Sequence, residues 1–330
     1  MDLNGFIFLD MAIDPSNLIV TQECITEFDS PAVPASLGRM TINGEPTSVI
    51  VSDSIRSGSY QSPELYLDLA NIMIKMKPHP CIQKIYGYNL SKFSFITEMV
   101  DHTFLTYLFA LYDENESGFL DLNEFTPTGK SIFAYALACA LMHLHANNIT
   151  HRNINPMTVS IDQQFLPKIH IIHSLVRPPN HLRGMITFPE NNLVIFDAPE
   201  TFGTKSFDSK VDVYSYGMIL QALVTDWIPY VGNKRPQRLS DIREYFVQRE
   251  ICSGTRPELV KEPYYNKINT IIRSCWELDP EKRPTFADIV HDLNNYGPLF
   301  PDTDLVEYEE VTRPIFCKSV IPEKDQARFN

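Results

Sequence analysis

Residues 151–162 read HRNINPMTVSID, a polar stretch that begins six residues after the end of a long apolar segment. That segment, SIFAYALACALMHLH, is apolar nearly all round, and this pattern predicts a buried helix. Thr126 is placed to cap the helix, and Pro127 suits its first turn.

Two patterns of hydrophobicity divide the chain. Residues 17–100 contain short β-branched runs, NLIVT, RMTI, TSVIVS and FSFITEMV, with one helical segment at 63–77. After residue 101 the helical pattern dominates, for example in KVDVYSYGMILQALV, YYNKINTIIRSCWE and FADIVHDLNNY. We therefore predict an α+β protein with a small β-rich N-lobe (17–100) containing one main helix and a larger helical C-lobe (101–297).

The two ends of the chain lie outside these patterns. Residues 1–16 form an N-terminal extension with acidic residues where a secretion signal would carry basic ones. Residues 298–330 are rich in proline and acidic groups, which predicts an extended C-terminal tail. No apolar run reaches membrane-spanning length, so the sequence predicts a soluble, cytoplasmic protein.

The composition limits the partners that this protein can have. The chain has 330 residues, of which 44% are hydrophobic, enough for a sizeable buried core. Its formal charge of -13 argues against nonspecific binding to nucleic acid or to anionic membranes, and favours partners with basic surfaces. The six cysteines show no C-x-x-C pair, which favours free thiols over disulfides or a zinc site.

Six short motifs occur in an order and at spacings typical of one family. They are HPCIQKIYGY, ITEMV, LMHLHANNITHRNINP, DAPE, VDVYSYGMIL and CWELDPEKRPTF. On these motifs, residues 17–297 resemble a protein kinase domain of the tyrosine-kinase-like type. The resemblance implies a bilobal fold in which the segment ITEMV is the hinge between the lobes.

The resemblance implies structural roles for seven residues. Glu200 is expected to pair with Arg283, and Asp212 to accept hydrogen bonds from the backbone of the catalytic loop. Arg152 is expected to organise that loop. The resemblance also implies a hydrophobic spine between the lobes, built from Met73, His151, Ile172 and Asp212.

The residues that carry out phosphoryl transfer in the family are replaced here. The catalytic Asp, the phosphate-contacting Lys and the metal-binding Asn correspond to Asn153, Asn155 and Thr158. The D-F-G motif falls on residues 171–173, so that Ile171 stands where the family holds magnesium. Ser52 occupies the position of the strand Lys. The sequence therefore predicts a pseudokinase, a kinase-like protein without catalytic activity.

The nucleotide site is also expected to be lost. Where a glycine-rich loop should cradle the phosphates, the chain reads DSPAVPASLGRM, with one glycine and two prolines. Ile50 should narrow the adenine slot, and Ser160 should weaken its apolar floor. We predict no bound Mg-ATP. An alternative is weak nucleotide sensing through the hinge, because Thr97 is a small gatekeeper that leaves the back pocket open.

A second alternative is a calcium-responsive module. The segment DENESGFLDLNE (113–124) matches the calcium loop of an EF-hand, with Gly118 at the turn. Its predicted ligands are Asp113, Asn115, Ser117, Asp121 and Glu124. The competing interpretation is an acidic, solvated loop between two helices of the C-lobe. In either case the predicted role is a scaffold or an allosteric interaction module in signalling. Its partner would be a protein, with an active kinase among the candidates.

Overall fold

The structure is a computed structural model. It describes residues 7–8, 18–22, 35–52, 71–89, 94–100, 102–110, 125–162, 164–171, 193–202, 208–230, 244–261 and 263–329. Strands predominate as far as residue 103 and helices predominate afterwards, so the predicted α+β division of the chain is confirmed.

An antiparallel sheet of six strands, in the order β1-β5-β6-β4-β3-β2, contains five strands of the predicted N-lobe and one strand, β1, of the predicted N-terminal extension. The strands are β1 (Ile7–Phe8), β2 (Ile19–Gln22), β3 (Ala35–Ile42), β4 (Glu45–Ser52), β5 (Ile85–Asn89) and β6 (Ser94–Glu98). Asn43 and Gly44 join β3 to β4 with φ angles of 52° and 85°, as a two-residue hairpin turn requires. In β4 the side chain of Ile50 is buried, and the residue pairs with Leu37 and Thr97 on the neighbouring strands.

A short segment of backbone connects this sheet to the C-lobe. Residues 71–75 are helical (α1), and the chain then passes through 76–84 to β5. The second sheet contains β7 (His102–Thr103), β8 (Val159–Ile161) and β9 (Pro167–Ile169). Backbone hydrogen bonds from Gln83 N to Ile169 O (2.9 Å) and from Ile169 N to Cys81 O (3.0 Å) join the two parts.

The C-lobe is built around two helices that are buried along almost their whole length, α3 (Pro127–Ala146) and α4 (Lys210–Thr225). Thr126 Oγ1 accepts a hydrogen bond from Gly129 N at 3.2 Å and Pro127 opens the helix, so the predicted cap of α3 is confirmed. The other helices of this lobe are α2 (Phe104–Ala110), α5 (Glu244–Ser253), α6 (Asn266–Cys275) and α7 (Phe286–Tyr296).

The prediction of an extended C-terminal tail is wrong. Residues Leu305–Lys318 form a helix, α8, and Glu323–Arg328 form a 3-10 helix. Asp304 caps α8, accepting hydrogen bonds from Val306 N and Glu307 N. The buried side chains of Tyr308, Thr312 and Ile315 recur at helical spacing, and this face packs on α3.

Two expectations from the composition can be compared with the described residues. The five cysteines among them, Cys81, Cys139, Cys252, Cys275 and Cys317, are free thiols, as predicted. In the described part of the chain, no helix combines the length and the apolar character that a membrane crossing requires.

Candidate functional site

The loop between α3 and β8 is held in place by a buried carboxylate. Asp212, which is fully buried near the start of α4, accepts hydrogen bonds from the backbone N of His151 and of Arg152, both at 2.7 Å. His145, at the end of α3, contacts the same carboxylate at 2.9 Å through Nε2. Burial acts to raise the pKa of Asp212, but the contact with His145 and the backbone hydrogen bonds hold this pKa below its usual value. Asp212 therefore makes the contacts that the resemblance implies.

Within this loop the three candidate side chains bind one another. Asn155 Nδ2 donates to Asn153 Oδ1 at 2.9 Å, and Asn155 Oδ1 accepts from Met157 N at 2.8 Å. Thr158 Oγ1 donates to the carbonyl of Asn153 and accepts from Asn155 N at 3.1 Å. Asn155 and Thr158 are buried. The amide and hydroxyl groups thus form an uncharged hydrogen-bonded network at the positions where the family has its catalytic Asp, its phosphate-contacting Lys and its metal-binding Asn.

Beside this network, below the position expected for adenine, lies a buried pair of polar side chains, Ser160 and His170. Ser160 Oγ and His170 Nε2 share a hydrogen bond of 2.6 Å, and neither side chain is exposed to solvent to more than 4%. Burial, together with the nearby ring of His151, lowers the pKa of His170 to about 4, so the imidazole is neutral at physiological pH. The next residue, Ile171, is 1% exposed and gives this part of the site an aliphatic wall.

The stability of the fold should depend on pH through His170. Its pKa is about 4 in the folded state and 6.5 when unperturbed, so the unfolded chain binds the additional proton between these values, and stability is lost as the pH falls through this window. Each pH unit corresponds to about 1.4 kcal/mol for one proton, so lowering the pH from 7 to 5 should cost about 2 kcal/mol at this residue. His170→Gln should remove that part of the loss, as urea unfolding at the two pH values would show.

The matched control for this measurement is His291→Gln, the same substitution on the half-buried ring of a histidine in α7. If the parent and His170→Gln lost the same free energy of unfolding between pH 7 and pH 5, the ring of His170 would be accessible to protons in the folded state.

The predicted ion pair between Glu200 and Arg283 is present. Arg283 NH1 donates to Glu200 Oε1 at 2.6 Å, and Arg283 NH2 donates to Glu200 Oε2 at 2.9 Å, so the contact is bidentate. Arg283 is 1% exposed, and it also donates to the carbonyls of Glu277 and Lys210. This pair connects the 3-10 turn Pro199–Phe202 to the segment before α7.

Several predicted site residues lie outside the part of the chain that the structure describes. These are Ile172 and His173 of the D-F-G position, the calcium loop 113–124, and residues 29–34 of the segment expected to replace the glycine loop. Ser52 ends β4, and its side chain is not among those described. Among the described residues, no group of three or more His, Cys, Asp or Glu side chains is arranged to hold a metal ion. The calcium loop remains a prediction.

Two residues of the site were not predicted from the sequence, His145 and His170. His145 lies six residues before His151, and nothing in its spacing links it to Asp212, 67 positions away. His170 could have been found, because it precedes the D-F-G position directly, and a bulky polar ring there must be accommodated within the site.

Comparison with known proteins gives one family. The family model that matches is described as protein tyrosine and serine/threonine kinase, and it covers residues 35–293. The chain is 28% identical over 218 residues to a protein kinase and PP2C-like domain-containing protein of Arabidopsis thaliana, covering 57% of this chain and 33% of that protein. It is 30% identical over 217 residues to a probable serine/threonine-protein kinase of Dictyostelium discoideum, covering 65% of this chain and 15% of that protein.

A third relative is serine/threonine-protein kinase STY17 of Arabidopsis thaliana, 31% identical over 152 residues, with 46% of this chain and 25% of that protein covered. The chain thus spans at most about a third of the length of these three relatives. The residues matched by the family model include the loop and both buried ion contacts described above.

Proposed function

The chain belongs to the family of protein tyrosine and serine/threonine kinases, and from this premise we propose that it is a pseudokinase that acts as a protein-interaction module in signalling. The observation that carries this proposal is the uncharged hydrogen-bonded network of Asn153, Asn155 and Thr158. A kinase needs a carboxylate to accept the proton of the substrate hydroxyl and oxygen ligands to hold magnesium. The network supplies neutral groups whose hydrogen bonds are used within the loop.

The size of the chemical loss supports inactivity. Loss of a general base alone typically costs about 10²- to 10⁴-fold in rate, which a slow enzyme can tolerate. Here the residue at the metal-binding Asp position is the buried, aliphatic Ile171. Charge that develops on the transferred phosphoryl group would therefore lack both the metal and the groups that hold it, and this stabilisation is usually the largest contribution to catalysis.

The names of the relatives describe active kinases, but this activity does not extend to the present chain on similarity alone. The contacts described above that fit the family concern the framework, namely the Glu200–Arg283 pair and the carboxylate of Asp212. A kinase framework whose three catalytic positions carry neutral side chains keeps a folded surface through which it can bind other proteins. The formal charge of -13 favours a partner with a basic surface, and an active kinase is one candidate class.

We further propose that Mg-ATP does not bind. The buried pair of Ser160 and His170 places polar groups where the family has an apolar floor for adenine, and Ile50 lies buried on the strand that should cover the base. A triphosphate next to Ile171 would lose its hydration without gaining a counter-ion from that residue. Binding through the base alone would have to overcome this cost.

Thermal denaturation with ATP, with and without magnesium, tests this part of the proposal. We expect no rise in the melting temperature at submillimolar ATP for the parent protein or for Asn153→Asp, and no transfer of radiolabelled phosphate by either. The restored carboxylate would face no positioned phosphate, so it should not rescue activity. A saturable rise of several degrees would favour the nucleotide-sensing alternative, and transfer by the parent would contradict the proposal of inactivity.

A further inference from the structure

A cavity of about 680 Å³ lies where α1, β5, β9 and the end of α8 come together. Its volume is in the range of pockets that hold small molecules in proteins. Ile50 and Ser160, which mark the position expected for adenine, are not among its lining residues. The cavity therefore lies apart from the position expected for adenine, although Ile171, which stands at the position expected to hold magnesium, forms part of its wall.

Part of the buried wall of the cavity is apolar, and the buried polar side chains of His79 and Gln83 also line it. Met73 of α1, Ile82 of the connecting segment and Ile171 after β9 line it, and all three are buried, with exposures of 3%, 5% and 1%. These side chains offer no hydrogen bonds to a sugar or to a polyphosphate. A ligand that enters deeply must therefore present an apolar body to them.

The rest of the lining has an excess of positive charge. Four lysines contribute to it from three segments of the chain, Lys77 and Lys84 from 76–84, Lys168 from β9 and Lys318 from α8, with Glu98 as the one acidic residue. Lys168 Nζ is paired with Glu98 Oε1 at 2.9 Å. Within the described ranges, no carboxylate lies at ion-pair distance from Lys77, Lys84 or Lys318. Such a concentration of lysines is unexpected in a protein with a net charge of -13.

We propose that this cavity binds a small amphipathic anion, that is, an aliphatic or aromatic body with one carboxylate, sulfonate or phosphate group. The apolar body would lie against Met73, Ile82 and Ile171, and the anionic group would lie among the lysines at the open side. The lysine stems cover apolar surface while their ammonium groups stay hydrated, so the site can hold an anion without burying its charge. A ligand in this position contacts both lobes and α8 at once.

Binding can be measured with two probes of this chemistry. Anilinonaphthalene sulfonate becomes fluorescent in an apolar site, and dodecanoate is a competitor with the predicted charge. We expect saturable binding below about 1 mM for both at neutral pH, with dodecanoate displacing the dye and raising the melting temperature by mass action. Dodecyltrimethylammonium, which has the same aliphatic chain with a positive group, should displace the dye at least about tenfold less well.

Variants of the lining residues link the binding to this cavity. The double substitution Lys77→Glu and Lys318→Glu should weaken dodecanoate binding at least about tenfold, because two attractive charges become repulsive. Lys282→Glu, the same change on an exposed lysine outside the cavity, should leave binding unchanged. Ile74→Trp, at a half-buried lining position, should obstruct the cavity and weaken binding without altering its charge.

Three results would overturn the proposal. They are no saturable binding of either probe, equal displacement by the cationic and anionic chains, and parent-like affinity in both the charge-reversal and the Ile74→Trp variants. Circular dichroism and the cooperativity of unfolding identify a variant that has lost its fold. If one of the two lining variants is unfolded, the other variant and the comparison of dodecanoate with dodecyltrimethylammonium decide the outcome.

Discussion

Arg283→Ala should lower the free energy of unfolding by about 3–5 kcal/mol. The guanidinium group makes two hydrogen bonds to Glu200, one to the carbonyl of Glu277 and one to that of Lys210, and it is 1% exposed. It also lies over the ring of Tyr214, with 5.1 Å between Cζ and the ring centroid. Alanine would leave a carboxylate and two carbonyls without these donors, and the desolvation of such groups is costly when no partner replaces them.

Denaturant unfolding of the variant would measure this loss, and Arg273→Ala is the matched control. Arg273 is exposed on α6, and its removal should change the free energy of unfolding by less than about 0.5 kcal/mol. Arg283→Lys would separate charge from geometry, because lysine keeps the positive charge but cannot form the bidentate contact. A loss below about 1 kcal/mol in Arg283→Ala would mean that Glu200 is solvated in the folded protein.

The parts of the fold that could be predicted from the sequence are those in which one local pattern determines the structure. The helix α7 begins and ends where its sequence predicts, because Thr285 and Asp288 form a capping box and Gly297 follows the last turn. The buried helix α3 could be predicted for a similar reason, since an apolar segment of this length has few alternatives. The pair of Glu200 and Arg283 required the resemblance to a family, because 83 residues separate the partners.

What could not be predicted depends on contacts between distant residues. Asn153, Asn155 and Thr158 were identified as replaced positions, but their hydrogen bonds to one another follow from the path of the loop backbone, which Asp212 fixes from another helix. The contact between Ser160 and His170 arises because β8 and β9 are antiparallel neighbours. Neither contact has a local signal in the sequence.

The helix α8 was missed for a different reason. Its acidic residues and Pro314 are typical of a tail, yet Pro314 is exposed, on the side of the helix that faces solvent. A proline at such a position removes a hydrogen bond that water can replace at the carbonyl of Glu310. The opposite face, with Tyr308 and Ile315, supplies the apolar contacts that hold the helix on α3.

Two neutral histidines fix the end of α8 to the segment between α1 and β5. His143 Nδ1 accepts from Val320 N at 3.0 Å, so its Nε2 carries the proton and donates to the carbonyl of Lys77 at 3.0 Å. His79 Nδ1 likewise accepts from Cys81 N, and its Nε2 lies 3.0 Å from Ser319 Oγ. These contacts place the last turn of α8 beside the cavity that Lys318 lines.

Ile315→Ala should therefore cost about 2–5 kcal/mol, the range observed when a buried isoleucine is truncated to alanine. Ile315 is 3% exposed and belongs to the main hydrophobic core, so its loss leaves a space between α8 and α3. Pro314→Ala is the matched control one position earlier. It restores a backbone donor on the solvent side and should leave stability unchanged or increase it. Denaturant unfolding of both variants measures the two effects. If α8 were a loosely attached tail, Ile315→Ala would unfold with the parent's midpoint. If the helix is an integral part of the C-lobe, the midpoint falls and the transition remains cooperative, because its docked face and the core of α3 then unfold together.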